Sequence, residues 1–396
     1  MQAAERLGIE VVVGSEREQA LAALVPGRTL ALNLASPEEG ARAIERFARQ
    51  YPLDSIVAVD DAGTLVAALA SARLGLPHNP FAAVEATRNK ALLRRRLAFG
   101  ELLSPPYRVL SVHDDPRAAA ATLDYPLDYP VVLKPLALSG SRGVMRADGP
   151  AGFVAAFERL RALLAEPDVA ADCGPTAGQL LVEGYIPGDE VSVEGLLTGG
   201  RLRVLALFDK PDPLVGPFFE EAIYVTPSRH PQAAQDAVVA ATERAAHALG
   251  LRDGPLHAEL RLNAEGAWPI DLAARSIGGL CSRTLSFGAG MSLEELLLRH
   301  ATGAPVPSYE RAGAASGVMM IPIPRVGTLR AVRGLEAARA VPRVTEVAIT
   351  IRNGQRVVPL PEGSEYLGFI FARADAPAEA EAALRAAHAM LAFEIE

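Results

Sequence analysis

Among 39 basic residues, only Lys90, Lys134 and Lys210 are lysine. A chain that uses arginine for nearly every other cation keeps lysine where a compact ammonium on a flexible stem is needed and a planar guanidinium does not fit. At least two of the three are therefore expected to touch one ligand. Lys134 lies in the apolar run 129–135, and a small-residue loop with Ser139, Gly140, Ser141 and Gly143 follows before apolar residues resume. That pattern reads as strand, glycine hairpin, strand. Gly140 and Gly143 let backbone N–H groups turn toward an anion, and Lys134 adds a point charge, so phosphate is the natural guest. An ordinary turn has the same composition, and the loop is not a G-x-x-x-x-G-K-[ST] phosphate loop. The lysine count favours the anion.

A second constellation lies further on. Residues 256–263 and 267–272 are strand-like runs joined at Ala264-Glu265-Gly266, which fits a three-residue hairpin loop with left-handed glycine. That register sets Asn263 opposite Ala267 and Glu259 opposite Asp271. Carboxylates about 5 Å apart at Cβ repel unless a cation lies between them, and Mg²⁺ or Mn²⁺ suits two carboxylates with phosphate oxygens. A slip of one residue would send the acids to opposite faces, one of them beside Arg261. Arg275 and Gly278-Gly279 follow, offering a permanent cation and approachable N–H groups; an ion-pair role for Arg275 is the alternative. His257, on the same strand face as Glu259, either orients a substrate or is structural. Between the two constellations, Glu183, Tyr185 and Ile186 lead a strand into the Pro187-Gly188 turn. Backbone exposed there can pair with a planar base, and Glu190 can accept hydrogen bonds from ribose, although Pro-Gly turns are common. Lys210 ends another strand before the proline-rich loop 211–217.

Several elements must position these groups. The length of 396 residues points to two or three domains. Residues 1–88 alternate helix and strand: strands at 9–13, 29–32 and 55–59, helices at 2–7, 16–24, 37–51 and 64–74. Such alternation implies a parallel sheet covered by helices, with a first strand missing from the usual order. Asp60 and Asp61 follow the third strand, as a ligand site or as helix caps. Asn79-Pro80 caps a further helix, and 86–99 reads as a helix carrying Lys90, with 94–96 on a solvated face. Strands at 107–112, 129–134 and 179–182 with a helix at 151–165 suggest a small α+β flap, and 166–178 a surface excursion. Near the end, strands at 316–323, 345–351 and 366–372 precede an amphipathic helix at 377–392, a tail suited equally to a homodimer contact or to plain packing.

A net charge of -8 and the lack of a long basic run give no support to nucleic-acid or membrane-surface binding. No apolar stretch reaches the roughly 20 residues of a membrane span. Glu5 and Glu10 interrupt any leader at the start, and two distant cysteines, Cys173 and Cys281, suit a reducing cytoplasm. Neither G-x-S-x-G nor H-E-x-x-H occurs.

Taken in order, Lys90, Lys134 with the 139–143 loop, the 183–190 hinge, Glu259, Asp271 and the 275–279 tail resemble the ATP-grasp superfamily, and more narrowly the carboxylate-amine ligases related to L-amino-acid (dipeptide) ligases. The resemblance covers nearly the whole chain. It implies a mixed α/β and α+β fold: a parallel-sheet pre-ATP-grasp domain over 1–88, a two-lobed ATP-grasp core over 89–305 with a mobile subdomain at about 107–185, and an α+β lid over 306–396. By the same resemblance, Lys90 and Lys134 hold the α- and β-phosphates of ATP and the serine-glycine loop covers the triphosphate. Glu183, Tyr185 and Ile186 read adenine through backbone, and Glu190 binds ribose. Glu259 and Asp271 bind Mg²⁺, Arg275 steadies the reacting acyl group, and Lys210 and His257 complete the catalytic candidates. The implied reaction joins a small carboxylate, such as an amino acid, to an amine through an acyl phosphate, releasing ADP and phosphate. Its rivals are a carboxyphosphate-using enzyme of the biotin-carboxylase or purine-pathway kind, and a nucleotide-binding regulator without turnover. Two residues depart from the pattern: Asp271 where glutamate is usual, and Ala273 where many relatives carry a metal-binding asparagine.

Overall fold

The computed structural model describes residues 1–16 and 29–396. At the N-terminus, Val13–Ser15 and Thr29–Ala31 form a parallel pair under the helices Pro37–Ala48 and Asp61–Leu74. The first strand thus begins where the expected run 9–13 ends, and the expected helix 16–24 lies, Glu16 apart, outside the described residues. Residues 55–59 are not a strand. Ile56 packs on the cluster of Leu32, Ile44 and Val66, but Val59 is 81% exposed, so the run is covered on one side only and joins no ladder.

The helix expected over 86–99 is two helices, Phe81–Arg88 and Lys90–Phe99, because Asn89 is extended and its side chain accepts the N–H groups of Ala91 and Leu92. An asparagine cap starts a new helix more cheaply than it continues an old one. Lys90 thereby becomes the first residue of the second helix. On that helix Lys90, Leu93, Arg94 and Leu97 turn inward. Arg94 is therefore fully buried, contrary to the solvated face read for 94–96, while Arg95 and Arg96 remain exposed.

The flap is a four-stranded antiparallel sheet in the order Tyr107–Ser111, Gln179–Gly184, Val131–Pro135, Met145–Ala147. Phe153, Phe157 and Leu160 of the helix Pro150–Leu164 fill its core. Residues 166–178 are not a loose excursion: Pro167–Cys173 is helical, and Val169 and Cys173 bury their side chains in the same core.

The central sheet has eight strands in the order Gly266–Ala273, Gly254–Asn263, Asp189–Thr198, Arg201–Lys210, Ile223–Thr226, Ala315–Ile321, Gly368–Ala374, Val344–Ile349. The last three come from the C-terminal part of the chain, so that part extends the same sheet. Sequence reading missed the short strands Gly327–Arg333, Arg356–Val357 and Ala392–Ile395, which pair into a small sheet whose Leu329, Val357 and Ile395 are buried.

The hairpin of Gly254–Asn263 and Gly266–Ala273 holds a register surprise. Asn263 stands opposite Gly266, not Ala267, so the turn is one residue tighter than expected. Carried on unchanged, that register would separate Glu259 and Asp271. A bulge at Ile270 restores it: Leu260 faces Pro269, whereas Glu259 faces Asp271. Proline has no N–H for the ladder and tolerates such a break. Arg94 holds the bulge, its guanidinium donating to the Pro269 and Ile270 carbonyls at 3.1 and 2.5 Å.

Candidate active site

Each lysine of the sequence analysis meets a carboxylate. Lys90, at its helix start, donates to the Leu138 carbonyl at 2.9 Å and lies 3.1 Å from Asp271 Oδ2. Lys134, at the end of its flap strand, lies 2.6 Å from Glu183 Oε2 on the neighbouring strand. Arg94 reaches the other oxygen of Glu183 at 2.6 Å. Glu183 is thus a buried acid between two cations, paired through its carboxylate. Burial alone would raise its pKa, but Arg94 and then Lys134 hold it below the usual value. Burial lowers the pKa of Lys134 against the pull of Glu183.

The third lysine sits at the other end, in acidic surroundings. Lys210 Nζ is 2.7 Å from Glu190, 2.7 Å from Glu221 and 3.1 Å from Glu259. Arg261 caps Glu190 at 2.8 Å, and the Tyr224 hydroxyl donates to Glu221. Oxygens of Glu190, Glu221 and Glu259 all lie within 4.8 Å of one another, and the expected pair of Glu259 and Asp271 share a register position. Burial and then the charge of Glu259 push Glu221 up to about 7. Burial opposes ionisation of Glu259 as well, yet Lys210 and His257 hold it well below its ordinary value. Glu221 escaped sequence reading; the one signal was an acid pair, Glu220-Glu221, between a proline-rich loop and the apolar strand Ile223–Thr226.

His257 is buried, 3.3 Å from Glu194 and 3.6 Å from Glu259. Burial disfavours its charged form, but hydrogen bonds to Glu194 and Glu259 outweigh that and raise it to about 9. The same Glu194 oxygen accepts the Ile277 N–H at 2.9 Å, fixing the segment after Arg275. Arg275 bonds Asp61 Oδ2 at 2.7 Å and the Ser276 carbonyl at 2.9 Å. The two N-terminal aspartates therefore divide their roles: Asp60 caps its helix through the Gly63 N–H, and Asp61 orients Arg275.

At the hinge, Gly184 and Tyr185 give their N–H groups to Pro106 and Pro130, while the Ile186 N–H meets no acceptor among the described residues. The Tyr185 ring lies under the Arg146 guanidinium at 4.2 Å and stacks on Phe219. In the flap loop Gly140, Ser141 and Gly143 all have left-handed backbone, at φ 62, 57 and 75°. A Cβ on Gly143 would press on Pro135, Leu160 and Leu163 in a left-handed backbone, so glycine is favoured there.

A lysine pair under a glycine loop is thus joined through Lys90 and Asp271 to an acidic hairpin. Sequence models of three families match this chain: the ATP-grasp N-terminal domain over residues 1–78, the ATP-grasp domain over 127–284, and the L-amino acid ligase C-terminal domain 2 over 319–396. The chain thus carries an ATP-grasp domain at 127–284 with an ATP-grasp N-terminal domain before it. Its fold matches the crystal structure of an L-amino acid ligase from Bacillus licheniformis with a TM-score of 0.82 and 27% identity, over 100% of this chain and 95% of that one. The alanine–anticapsin ligase of Bacillus subtilis is 28% identical over 276 residues, 66% of this chain and 56% of the relative. Dapdiamide A synthase of Enterobacter agglomerans is 29% identical over 203 residues, 51% of this chain and 45% of the relative. The matched part thus spans about half the length of these curated relatives. No helix among the described residues is long and apolar enough to cross a membrane.

Proposed function

We propose that this ATP-grasp protein is a ligase that joins a carboxylate to an amine, with an amino acid on at least one side, through an acyl phosphate, and releases ADP and phosphate. The observation that carries the reading is the position of Lys90. Its ammonium touches both Leu138, just before the flap loop, and Asp271 of the acidic hairpin. Phosphate oxygens bound at one end would therefore lie next to the carboxylates of the other.

A substrate carboxylate is already nucleophilic, so the protein has only to neutralise charge at the transferred phosphoryl group and orient the reactants. Lys90 and Lys134 serve the triphosphate, and the loop 139–143 covers it. Ile186 meets the base through its N–H, and Glu190 the ribose. Glu259 and Asp271 supply hard oxygen donors that fit Mg²⁺; His257 faces Ala273 across the ladder, so that position adds no third oxygen. When bound, the ion offsets negative charge on the phosphates. Arg275, held by Asp61, presents a fixed cation to the oxyanion formed as the amine attacks. Lys210 keeps the acidic end from excess repulsion, and the similarity to amino-acid ligases supports amino acids as substrates.

The test is product analysis with ATP, Mg²⁺ and pairs of amino acids. The expected result is one ADP per amide formed. Release of AMP, turnover that depends on bicarbonate, or no nucleotide product with any pair would overturn the reading.

A further inference from the structure

The C-terminal part of the chain, a lid by the resemblance above, reaches the flap loop 139–143. The Gly143 N–H of that loop donates to the Pro361 carbonyl at 2.7 Å, and Arg142 Nε donates to the Glu362 carbonyl at 2.8 Å. Arg159, on the helix behind the flap sheet, grips the Glu362 carboxylate with two nitrogens, one at 2.8 Å. The segment they grip is a tight turn in which the Gly363 N–H donates to the Pro359 carbonyl at 2.9 Å. A Cβ on Gly363 would lie 1.9 Å from the Val358 carbonyl oxygen, so only glycine permits the turn. The strand Gly368–Ala374 that follows is built into the central sheet.

We propose that the turn 359–363 is a clasp that fixes the phosphate-covering loop to the central sheet, with Glu362 as a positioning residue for that loop. The clasp rests on the ligase reading above for its consequence, not for its existence. Three bonded links join flap and turn, and two of them involve the loop's own backbone or its Arg142. The flap's hinge is at the opposite side, around Pro106 and Tyr185. A loop tied at both hinge and tip holds one position over the triphosphate and keeps water from an acyl phosphate. Chain segments that sequence order places more than 200 residues apart thus share one task.

Two variants grade the clasp. Gly363→Ala breaks the turn itself and is expected to raise the KM for ATP at least tenfold and to release ADP in excess of amide. Glu362→Gln removes one exposed charge pair and should do the same by about two- to fivefold, as befits a partly screened ion pair. The exchange Glu362→Arg with Arg159→Glu should restore part of the Glu362→Gln loss, which a merely structural role for the glutamate would not. Hydrogen exchange in the protein without substrates reads the clasp independently of catalysis: the Gly143 amide should exchange at least tenfold faster in Gly363→Ala, with core amides unchanged. Unaltered Gly143 exchange in that variant overturns the clasp. Faster exchange with coupling of ADP to amide unaltered overturns its catalytic consequence. A wild-type chain that forms no amide defeats the ligase reading and leaves the exchange experiment to decide the clasp.

Discussion

The two ends of the site handle charge in opposite ways. At the flap end three cations, Lys90, Arg94 and Lys134, face two acids, Glu183 and Asp271. At the other end Glu190, Glu221 and Glu259 crowd round one ammonium, with Arg261 and His257 at the edges. Neither imbalance is cheap in a buried site. Burial presses on each: Lys134 is held below its ordinary pKa and Glu221 is pushed up to about 7. The contrast teaches that the site is built in two halves of opposite sign, one suited to phosphate and one to a cation, with Lys90 and Asp271 as the seam.

The contrast can be broken most severely at its centres. Lys134→Ala at one end and Glu259→Ala at the other should each lower ADP release by roughly 10²-fold or more while leaving the far-UV spectrum unchanged. Near-normal activity in either would remove that residue from the site. Next in size is Arg94→Met. It strips the bulge carbonyls and half of the Glu183 cage at once, and is expected to cost about 3–5 kcal/mol in denaturant unfolding, as a broken buried pair does. A loss below about 1 kcal/mol would show that the bulge holds itself. A smaller effect concerns pH. Because Arg94 and Lys134 outweigh burial and hold the Glu183 pKa below 4.5, its contribution to stability is present above pH 4.5 and is lost as pH falls through the lower folded value. The acid limb of Tm against pH should therefore be shallower in Glu183→Gln than in the wild type; an equally steep limb would assign acid sensitivity to other groups. Smallest of all, Arg330→Ala removes an exposed pair with Glu396 and should change stability by no more than about 0.5 kcal/mol.

How much of this the sequence disclosed depends on the kind of interaction. Lys90 and Lys134 stood out in sequence as rare lysines at a helix start and near a strand end, and Glu259 and Asp271 as acids on paired strand-like runs. Even so, the facing of Glu259 and Asp271 was reached through a turn register that the structure does not have. Two departures cancelled, the tighter turn at Asn263 and the bulge at Ile270, and the bulge depends on Arg94 from a helix some 175 residues away. Local periodicity counted Arg94 as solvated because arginine seldom lies fully buried without a partner, and its partner Glu183 stands on another lobe. Glu221 and the Pro361 contact were hidden for the same reason: their meaning lies in pairings between distant segments. The helix over 86–99 failed differently: an asparagine inside a helical run does not by itself announce that its side chain will cap a new helix and split the run.

The central claim, that these two halves bring a triphosphate and a carboxylate together, is tested most directly by isotope transfer. With ATP, Mg²⁺, an amino acid carrying ¹⁸O in its carboxylate and a second amino acid as amine, the account predicts one ¹⁸O in each phosphate released, matched by one amide. Label found in AMP, or phosphate released without label, would contradict it.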